Sequence, residues 1–258
     1  MQATLTLVAV ALLQAAGAVR IAGGKFVMGA DDGDADERPA RHVSVAAFGI
    51  DRTEVTNRAY QSCVLARRCR PRLPFPGTED ADQPVVGVSH ADARAFCRFV
   101  GGRLPSEAEW EKAARGTDGR RYPWGDSPDC ARSNFGNFQG SGPCPDNPGR
   151  PEQVGGRADG RSPYGALDMA GNVWEWVADL YPGEPHARVL KGGSCCGYFS
   201  LPRAAERLRF RADYRDHDIG FRCAHTISRA SGAAAPGPAR TRRATPRRDG
   251  RARGKAPR

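Results

Sequence analysis

The segment Gly102–Glu111, which reads GRLPSEAEWE, constrains the fold more than any other stretch of the sequence. Its Ser106 is followed three residues later by Glu109, and this spacing is typical of the capping box that starts a helix. Trp110 gives that helix an apolar side, and Gly116 is a residue type that ends helices. The segment therefore predicts a short helix that starts after Ser106 and packs through Trp110.

Two further helices are predicted on the N-terminal side of this segment. Ser89 and Asp92 form a second capping-box pattern, and Phe96 lies on the apolar stripe that follows them. Thr56 is a typical N-cap, and Tyr60 lies on the apolar face of the residues after it. These patterns place three short helices in the first half of the chain.

Short strands are predicted before the helices, and a long irregular region after them. Residues 23–29 and 42–45 have strand-like patterns, and residues 48–51 are predicted to extend the second of these strands. From Gly119 to Gly165 glycine and proline recur, and no long periodic segment is present. A domain with so much irregular backbone usually needs disulfides or bound ions to hold it together.

The N-terminal residues predict export. An apolar run from Leu5 to Leu13 ends in Ala16-Gly17-Ala18, a small-x-small cleavage pattern, although no Lys or Arg precedes the run. The run is too short to span a bilayer comfortably. A buried first strand and a short membrane anchor are the alternatives. Residues 1–18 are predicted to be a signal peptide, and the protein is predicted to be periplasmic, at the cell surface or secreted.

The positive charge of the chain is confined to its C-terminal end. Of the formal net charge of +10, residues 229–258 carry +9, from ten Lys or Arg residues less one Asp. No aromatic or large aliphatic residue follows Ile227, so this segment cannot bury enough apolar surface to fold. Residues 229–258 are predicted to be a disordered basic tail that can contact anionic surfaces, and residues 19–228 to form one domain. Because the domain itself is nearly neutral, no specific nucleic-acid partner is predicted.

Eight cysteines all follow the predicted cleavage point, and an even number in an exported chain favours disulfides. They are Cys63, Cys69, Cys97, Cys130, Cys144, Cys195, Cys196 and Cys223. Cysteine spacing alone cannot decide how eight residues pair. Zinc is the competing interpretation, and it is weaker because the sequence contains no CxxC pair.

Six segments carry a resemblance to a known family. They are Asp51–Asn57 (DRTEVTN), Gly102–Glu111 (GRLPSEAEWE), Tyr122–Gly125 (YPWG), Gly171–Trp176 (GNVWEW), Lys191–Ser194 (KGGS) and Gly220–Cys223 (GFRC). Together and in this order, they resemble the formylglycine-generating enzymes, or sulfatase-modifying factors, over roughly residues 21 to 225. The resemblance implies an α+β, C-type-lectin-like fold with little regular secondary structure and with bound calcium.

The calcium sites implied by the resemblance fall on two loops. The ligands of the first are the side chains of Asp168 and Glu175 and the carbonyls of Gly171 and Val173; those of the second are Asn134, the Phe135 carbonyl and Asp146. Carboxylates that bracket loop carbonyls suit a hard cation with several oxygen ligands. The alternative is that the two acids of the first site only cap turns.

The resemblance also implies one disulfide, between Cys97 and Cys223. By their spacing, Cys63 with Cys69 and Cys130 with Cys144 are predicted to form local bridges. Cys195 and Cys196 then remain. They form a vicinal disulfide, join separate bridges or stay free.

The family's chemistry depends on two thiols that bind copper(I), three and eight residues after the serine of the KGGS segment. Here that serine is Ser194, which the resemblance places in the cofactor site, and the two positions hold Gly197 and Pro202. Cys195 and Cys196 lie one and two residues after it instead. Neighbours on an extended chain point apart, so these two thiols are poorly placed to bind one copper ion from opposite sides.

Two functional hypotheses follow. The first is an exported, non-catalytic binding or scaffold module for a peptide, protein or glycan. The second is a copper- and oxygen-dependent formylglycine-generating oxidase, or a relative with altered chemistry, that uses Cys195 and Cys196 as catalytic thiols.

Other candidates for a site are weaker. A group of arginines, Arg203, Arg207, Arg209, Arg211 and Arg215, is predicted either to hold an anionic substrate or to pair with carboxylates such as Glu206 and Asp213. His90 and His217 have no evident partner, and neither is assigned a role.

Overall fold

Strands and helices alternate with long loops throughout the part of the protein that the computed structural model describes, residues 17–136, 144–197 and 202–227. All of these residues belong to one compact unit. Its strands are β1 (Ala18–Ile21), β2 (Gly24–Met28), β3 (Arg41–Val45), β4 (Phe48–Asp51), β5 (Trp174–Tyr181), β6 (Glu184–Lys191), β7 (Arg207–Arg211), β8 (Ile219–Gly220) and β9 (Ala224–Thr226). The α-helices are α1 (Asn57–Leu65), α2 (His90–Phe99) and α3 (Glu107–Arg115), and two short 3-10 helices span Cys130–Arg132 and Ala158–Gly160.

The strands form three small sheets. β4 lies between β1 and β9 and is antiparallel to both, β2 pairs with β3, and the third sheet has the order β7-β6-β5-β8. In the third sheet β5 and β8 run parallel, with Trp174 opposite Ile219 and Glu175 opposite Gly220. This pairing brings the GNVWEW and GFRC segments side by side. The α+β, lectin-like architecture implied by the resemblance is therefore present.

One strand prediction was wrong. Residues 48–51 do not extend the strand of residues 42–45, because β3 pairs with β2 whereas β4 belongs to a different sheet. All four residues of β4 are buried, while β3 is mostly exposed. A strand buried on both faces occupies the centre of a sheet, and β4 lies there between the first and the last strand.

The three helix predictions are confirmed. Ser89 and Ser106 each make both hydrogen bonds of a capping box, with Asp92 and Glu109 respectively. The side chain of Thr56 accepts a hydrogen bond from the backbone N–H of Ala59. These starts are encoded within a few residues of sequence, which is why local patterns suffice to find them.

The apolar core consists of two clusters of buried side chains. One surrounds Phe96, Tyr60, Phe221 and Trp176, and the other surrounds Trp110 together with strands β1, β4 and β6. The edge-to-face contact of Phe96 with Phe221, at 5.6 Å between ring centroids, packs α2 against the segment after β8. Both clusters contact β5, so the GNVWEW segment lies in the middle of the core.

Three disulfides link the described residues, and all three were predicted. They join Cys97 to Cys223, Cys63 to Cys69 and Cys130 to Cys144. Of the possibilities left open for Cys195 and Cys196, the structure has the free thiols. Disulfides persist in oxidising compartments, so three of them fit an exported protein.

The two ends of the chain carry predictions that lie outside the described residues. The predicted signal peptide covers residues 1–18, of which 1–16 are not described. Strand β1 begins at Ala18 and buries Val19 and Ile21, so cleavage after Ala18 leaves its two buried side chains in place. The predicted tail, residues 229–258, is not described. Within the described ranges, no helix is both long and apolar enough to cross a bilayer.

Candidate functional site

A buried ion pair lies where β5 runs beside the GFRC segment. The guanidinium of Arg222 binds Glu175 through three hydrogen bonds: Nη2 to Oε1 at 2.7 Å, Nε to Oε2 at 2.8 Å and Nε to Oε1 at 3.0 Å. Both residues are 0% exposed. Trp110 Nε1 donates a further hydrogen bond to Glu175 Oε2, at 2.8 Å. Burial alone lowers the pKa of Arg222, but the charge of Glu175 and its hydrogen bonds outweigh this and raise it, so the arginine stays charged.

The first predicted calcium site therefore has a different geometry from the one expected. Both carboxylate oxygens of Glu175 are engaged by Arg222 and Trp110, so this residue does not fit as a calcium ligand. Asp168 is better placed. It is partly buried, it has a left-handed backbone conformation (φ 57°), and its Oδ2 accepts a hydrogen bond from the Gly155 N–H at 2.6 Å.

Glu54 faces Asp168 and was not identified from the sequence. It is 2% exposed, and its Oε2 receives no hydrogen bond from any donor among the described residues. Burial is the main cause that raises the pKa of Glu54 well above its usual range, and the charge of Asp168 adds to this shift. Two buried carboxylates in contact need a shared proton or a cation between them. The pair of Glu54 and Asp168 is therefore the part of the first site whose chemistry fits a hard cation.

The second predicted site centres on Asn134, which is 3% exposed and whose Oδ1 has no hydrogen-bond partner among the described residues. That orphaned oxygen fits a cation ligand. The Phe135 carbonyl accepts a hydrogen bond from Asn147 Nδ2 at 2.9 Å, whereas Asp146 is exposed. Asn147, one residue beyond the predicted acid, thus contacts the loop.

Asn172 connects the two regions. Its Nδ2 donates to Glu54 Oε1 at 3.0 Å, and its Oδ1 accepts from Asn134 Nδ2 at 3.2 Å. Neighbouring Gly171 has a left-handed conformation (φ 90°), and a Cβ there would clash with the Asn134 carbonyl. Glycine at this position lets the two loops approach each other closely.

The predicted copper site lies after the KGGS turn. Gly192 and Gly193 both have left-handed conformations, with φ of 98° and 72°. A Cβ at Gly193 would clash with the ring of Pro202, so the residue at the second expected thiol position packs tightly against this turn. Ser194 is 4% exposed and donates a hydrogen bond through Oγ to Asp218 Oδ2 at 2.7 Å.

The two free thiols differ in their surroundings. Cys195 is 0% exposed, and its N–H donates to the Asn172 carbonyl at 3.0 Å. Burial raises the pKa of its thiol well above the ordinary value. Cys196 is partly exposed, and its Sγ donates to the Gly149 carbonyl at 3.3 Å. A hydrogen bond from Cys195, supported by His217, lowers the pKa of the Cys196 thiol although partial burial opposes this.

His217 lies beside Cys196 and is held by the residue before it. Asp216 Oδ1 contacts His217 Nδ1 at 2.7 Å and accepts a hydrogen bond from the His217 backbone N–H at the same distance. Burial alone lowers the pKa of His217, but the hydrogen bond to Asp216 and the charges of Asp218 and Cys196 outweigh it and raise the pKa. Side-chain nitrogen and oxygen atoms of residues 216, 217 and 218 lie within 4.8 Å of one another.

A cavity of about 620 Å³ lies next to this group. Its wall includes Pro148 and Arg150, the residues on either side of Gly149, whose carbonyl contacts Cys196. Asp80, Gln83 and Arg157 line other parts of the wall. The cavity is therefore polar and mixed in charge, and the free thiol lies at the loop that borders it.

The arginine group is used in ion pairs. The pairs are Arg203 with Glu37, Arg207 with Glu107, Arg209 with Glu184, Arg211 with Asp213, and Arg215 with Asp92. Pairing with carboxylates was one of the two predictions for these residues, and the predicted partner Asp213 pairs with Arg211. The other partners come from segments distant in sequence.

Glu54, Asn172, Asp216, His217 and Arg222 are the residues of this region that the sequence did not identify. For Asp216 and His217 a local signal existed, since the two are adjacent in a DHD tripeptide. Glu54 and Arg222 each lie in a recognisable segment, DRTEVTN and GFRC, but these segments do not indicate which residue each one contacts. Those pairings join residues far apart in the chain.

Comparisons with known proteins agree, over most of the chain, with the family resemblance that the sequence segments carry. A family model described as "Sulfatase-modifying factor enzyme 1-like domain" matches residues 6–227. The chain is 32% identical to the inactive C-alpha-formylglycine-generating enzyme 2 of Bos taurus, over 83% of this chain and 89% of that protein. It is also 32% identical to the formylglycine-generating enzyme of Streptomyces coelicolor, over 85% of this chain and 92% of that protein.

A solved structure and a third relative extend this comparison. The structure of PvdO from Pseudomonas aeruginosa matches with a TM-score of 0.67 and 23% identity, over 81% of this chain and 94% of that one, which supports the fold alone. The hercynine oxygenase of Mycolicibacterium thermoresistibile is 33% identical over 83% of this chain and 59% of that protein. Similarity of the same degree thus joins this chain to relatives whose names denote an active, an inactive and a different enzyme.

Proposed function

Because the chain belongs to the sulfatase-modifying factor family, we propose that it is an exported, non-catalytic binding or scaffold module of that family. One observation carries the proposal: the two positions where the family's copper-binding thiols are expected hold Gly197 and Pro202. Pro202 is buried and packs on Gly193, and a proline has no thiol with which to bind copper. The family's fold is kept and its thiol pair is not.

The free thiols do not replace that pair. Copper(I) tolerates a linear geometry with one soft ligand on each side. Cys195 is fully buried and bonded to the Asn172 carbonyl, whereas Cys196 is directed to the Gly149 carbonyl. Adjacent residues in these two environments are poorly suited to enclose one ion. The ligand of the binding module is a peptide, protein or glycan, and the cavity beside Gly149 is where we expect it to bind.

The test is a conversion assay on the full-length protein. The protein is incubated with copper(I), oxygen and a Cys-x-Pro-x-Arg peptide, and mass spectrometry measures conversion of the peptide cysteine to formylglycine. A family enzyme that has both thiols is the positive control, and a Cys195→Ser, Cys196→Ser double variant is the matched negative one. We expect the wild type and the double variant to give the same background. Conversion by the wild type that disappears in the double variant would show that the protein is catalytic.

The second hypothesis, altered chemistry at Cys195 and Cys196, is favoured by one observation. Cys196 is a free, partly exposed thiol beside a histidine that a carboxylate holds in place. Such an arrangement activates thiols in enzymes. A reaction at this site is separable from formylglycine formation, because it requires neither copper nor the missing pair.

We also propose that calcium stabilises the fold through Asp168 and Glu54, together with the Asn134 loop. The two interacting carboxylates of the first site and the orphaned amide oxygen of the second are hard oxygen donors of the kind that calcium binds. The role of the ion in this proposal is structural. It removes the repulsion between the two acids, which otherwise requires a proton on Glu54.

A further inference from the structure

We infer that Cys196 is a nucleophilic thiol that His217 activates and Asp216 orients, and that it exchanges with low-molecular-weight disulfides to form a mixed disulfide. The inference goes beyond the proposed binding role and does not depend on it. It assigns a modification site to the surface next to the cavity.

Accessibility selects Cys196 among the cysteines. Six of the eight are joined in disulfides, and of the two free thiols Cys195 is completely buried. Cys196 is partly exposed, and the loop that it contacts forms part of the wall of the 620 Å³ cavity. Because Cys196 is partly exposed, a small disulfide molecule is expected to reach it, whereas it cannot reach the buried Cys195.

The imidazole of His217 is placed to take the proton of the thiol. Asp216 Oδ1 contacts Nδ1 at 2.7 Å and also binds the backbone N–H of the same residue, which fixes both the ring and its tautomer. In the proposal, Nε2 is the nitrogen that takes the proton of the Cys196 thiol, and the charge of His217 favours the ionised form of that thiol. The side chain of His217 is 46% exposed, so its second nitrogen can exchange protons with solvent.

The charges around the sulfur favour the thiolate. The hydrogen bond from the Cys195 thiol is the largest favourable influence, and the positive charge of His217 adds to it. Asp218 acts in the opposite direction, but its carboxylate accepts a hydrogen bond from Ser194 and lies near His217. The pKa of Cys196 is lowered and that of His217 is raised, and both shifts favour transfer of the thiol proton to the imidazole.

The proposed step is a thiol–disulfide exchange. The Cys196 sulfur, having given its proton to His217, attacks one sulfur of the disulfide RS–SR. A Cys196–SR bond forms, the original S–S bond breaks, and RS⁻ leaves and takes the proton from the imidazolium. The low-molecular-weight disulfide is the only oxidant required. Cys195 stays a thiol, because burial keeps it protonated and away from solvent.

The first measurement counts and times the reactive thiols of the full-length protein. 2,2′-Dithiodipyridine is added at pH 6.5, and release of thiopyridone is followed by absorbance. We expect one thiol per chain to react in the native protein and a second only after denaturation. The native thiol should react at least about threefold faster than glutathione, because its larger thiolate fraction outweighs its weaker intrinsic nucleophilicity. A native rate no faster than that of glutathione would overturn the inference.

Variants assign the reaction to individual residues. Cys196→Ser should abolish the native reaction, while Cys195→Ser should leave one reactive native thiol and remove the second thiol that appears after denaturation. His217→Gln should slow it and give the pH profile of an ordinary thiol. Asp216→Asn, which leaves the ring in place, should change the profile in the same direction by a smaller amount. An unchanged pH profile in both of these variants would contradict the role of His217.

The product is checked with glutathione disulfide. After incubation of the wild type, mass spectrometry should find one glutathione adduct per chain, on the peptide that contains Cys196, with Cys195 still open to alkylation after unfolding. A protein that loses both thiols without gaining an adduct would have formed a vicinal disulfide, which contradicts the proposed product. None of these measurements uses copper or a peptide substrate, so they succeed or fail independently of the conversion assay.

Discussion

Two groups of charged residues lie beside the same pair of parallel strands, β5 and β8, and they differ in how completely they are enclosed. Glu175 and Arg222 are both 0% exposed, and Trp110 and backbone carbonyls use the rest of their hydrogen-bonding capacity. Asp216 and His217, before β8, have side chains that are 30% and 46% exposed. The enclosed group has nothing left to offer a ligand, whereas the open group keeps a ring nitrogen next to an accessible thiol. Similar residue types thus serve structure in one place and reactivity in the other.

The largest expected effect comes from breaking the enclosed pair. Arg222→Met leaves the charge of Glu175 buried without a counterion, and we expect the free energy of unfolding to fall by about 3–5 kcal/mol. Urea denaturation measures this change. The matched control is Arg211→Met, which removes an arginine from an ion pair whose side chains are 74% and 72% exposed. It should leave stability nearly unchanged, because water screens an exposed pair. Equal losses in the two variants would contradict the comparison.

Two histidines, His90 and His217, test the difference between enclosed and open side chains through the pH dependence of stability. His90 is 3% exposed, and burial lowers its pKa to about 4. The unfolded chain binds a proton on His90 more tightly than the folded protein does. The contribution of neutral His90 to stability is therefore complete above pH 6.5 and is lost as pH falls towards 4, by up to ~3 kcal/mol. His217 has a raised pKa, so its contribution has the opposite sign and is lost as pH rises through that value.

Urea titrations between pH 4 and 8 measure both contributions. His90→Gln should flatten the acid side of the stability profile, whereas His217→Gln should leave that side unchanged. If His90→Gln retains the full loss of stability between pH 6.5 and 4, the titrating group lies elsewhere.

A third prediction concerns the acids near the enclosed pair. Calcium at a hundred times its dissociation constant should stabilise the fold by about 2.7 kcal/mol, and a chelator should remove that gain. Glu54→Gln replaces the shared proton with an amide that can donate to Asp168, so in chelator this variant should be at least as stable as the wild type. It should also gain less from calcium. The melting temperature with calcium and with chelator measures both effects, and a wild type insensitive to calcium would exclude a structural ion.

The smallest expected effect on stability belongs to the open group. Asp216→Asn alters a partly exposed side chain and should change the free energy of unfolding by less than about 0.5 kcal/mol. The same variant should still alter the pH profile of Cys196. If its stability falls as far as that of Arg222→Met, the open group is structural and the contrast between the two regions does not hold.

The sequence predicted those features whose determinants are local. Helix starts at Ser89 and Ser106 were found because a capping box occupies four consecutive residues. The bridge between Cys97 and Cys223, 126 residues apart, was found because a family resemblance carried it. Strand β4 was misassigned because alternation along a strand does not reveal its partners.

The candidate site was predicted less completely, because its contacts join distant segments. Arg222 meets Glu175 across 47 residues, and Asn172 meets Glu54 across 118. Cys196 was identified as a candidate, but its partner His217 follows a strand and several loops later. No periodicity or spacing encodes such meetings. The one between Arg222 and Glu175 follows from the pairing of β8 with β5.

The sheet formed by β1, β4 and β9 has a consequence for how the protein folds. Its central strand pairs with the first described strand, at Ala18–Ile21, and with the last, at Ala224–Thr226. A ribosome must therefore finish nearly the whole domain before this sheet can be completed, and the bridge to Cys223 must wait equally long. Native contacts of such long sequence separation slow folding. The last strand to be synthesised therefore completes both this sheet and the longest-range disulfide of the described residues.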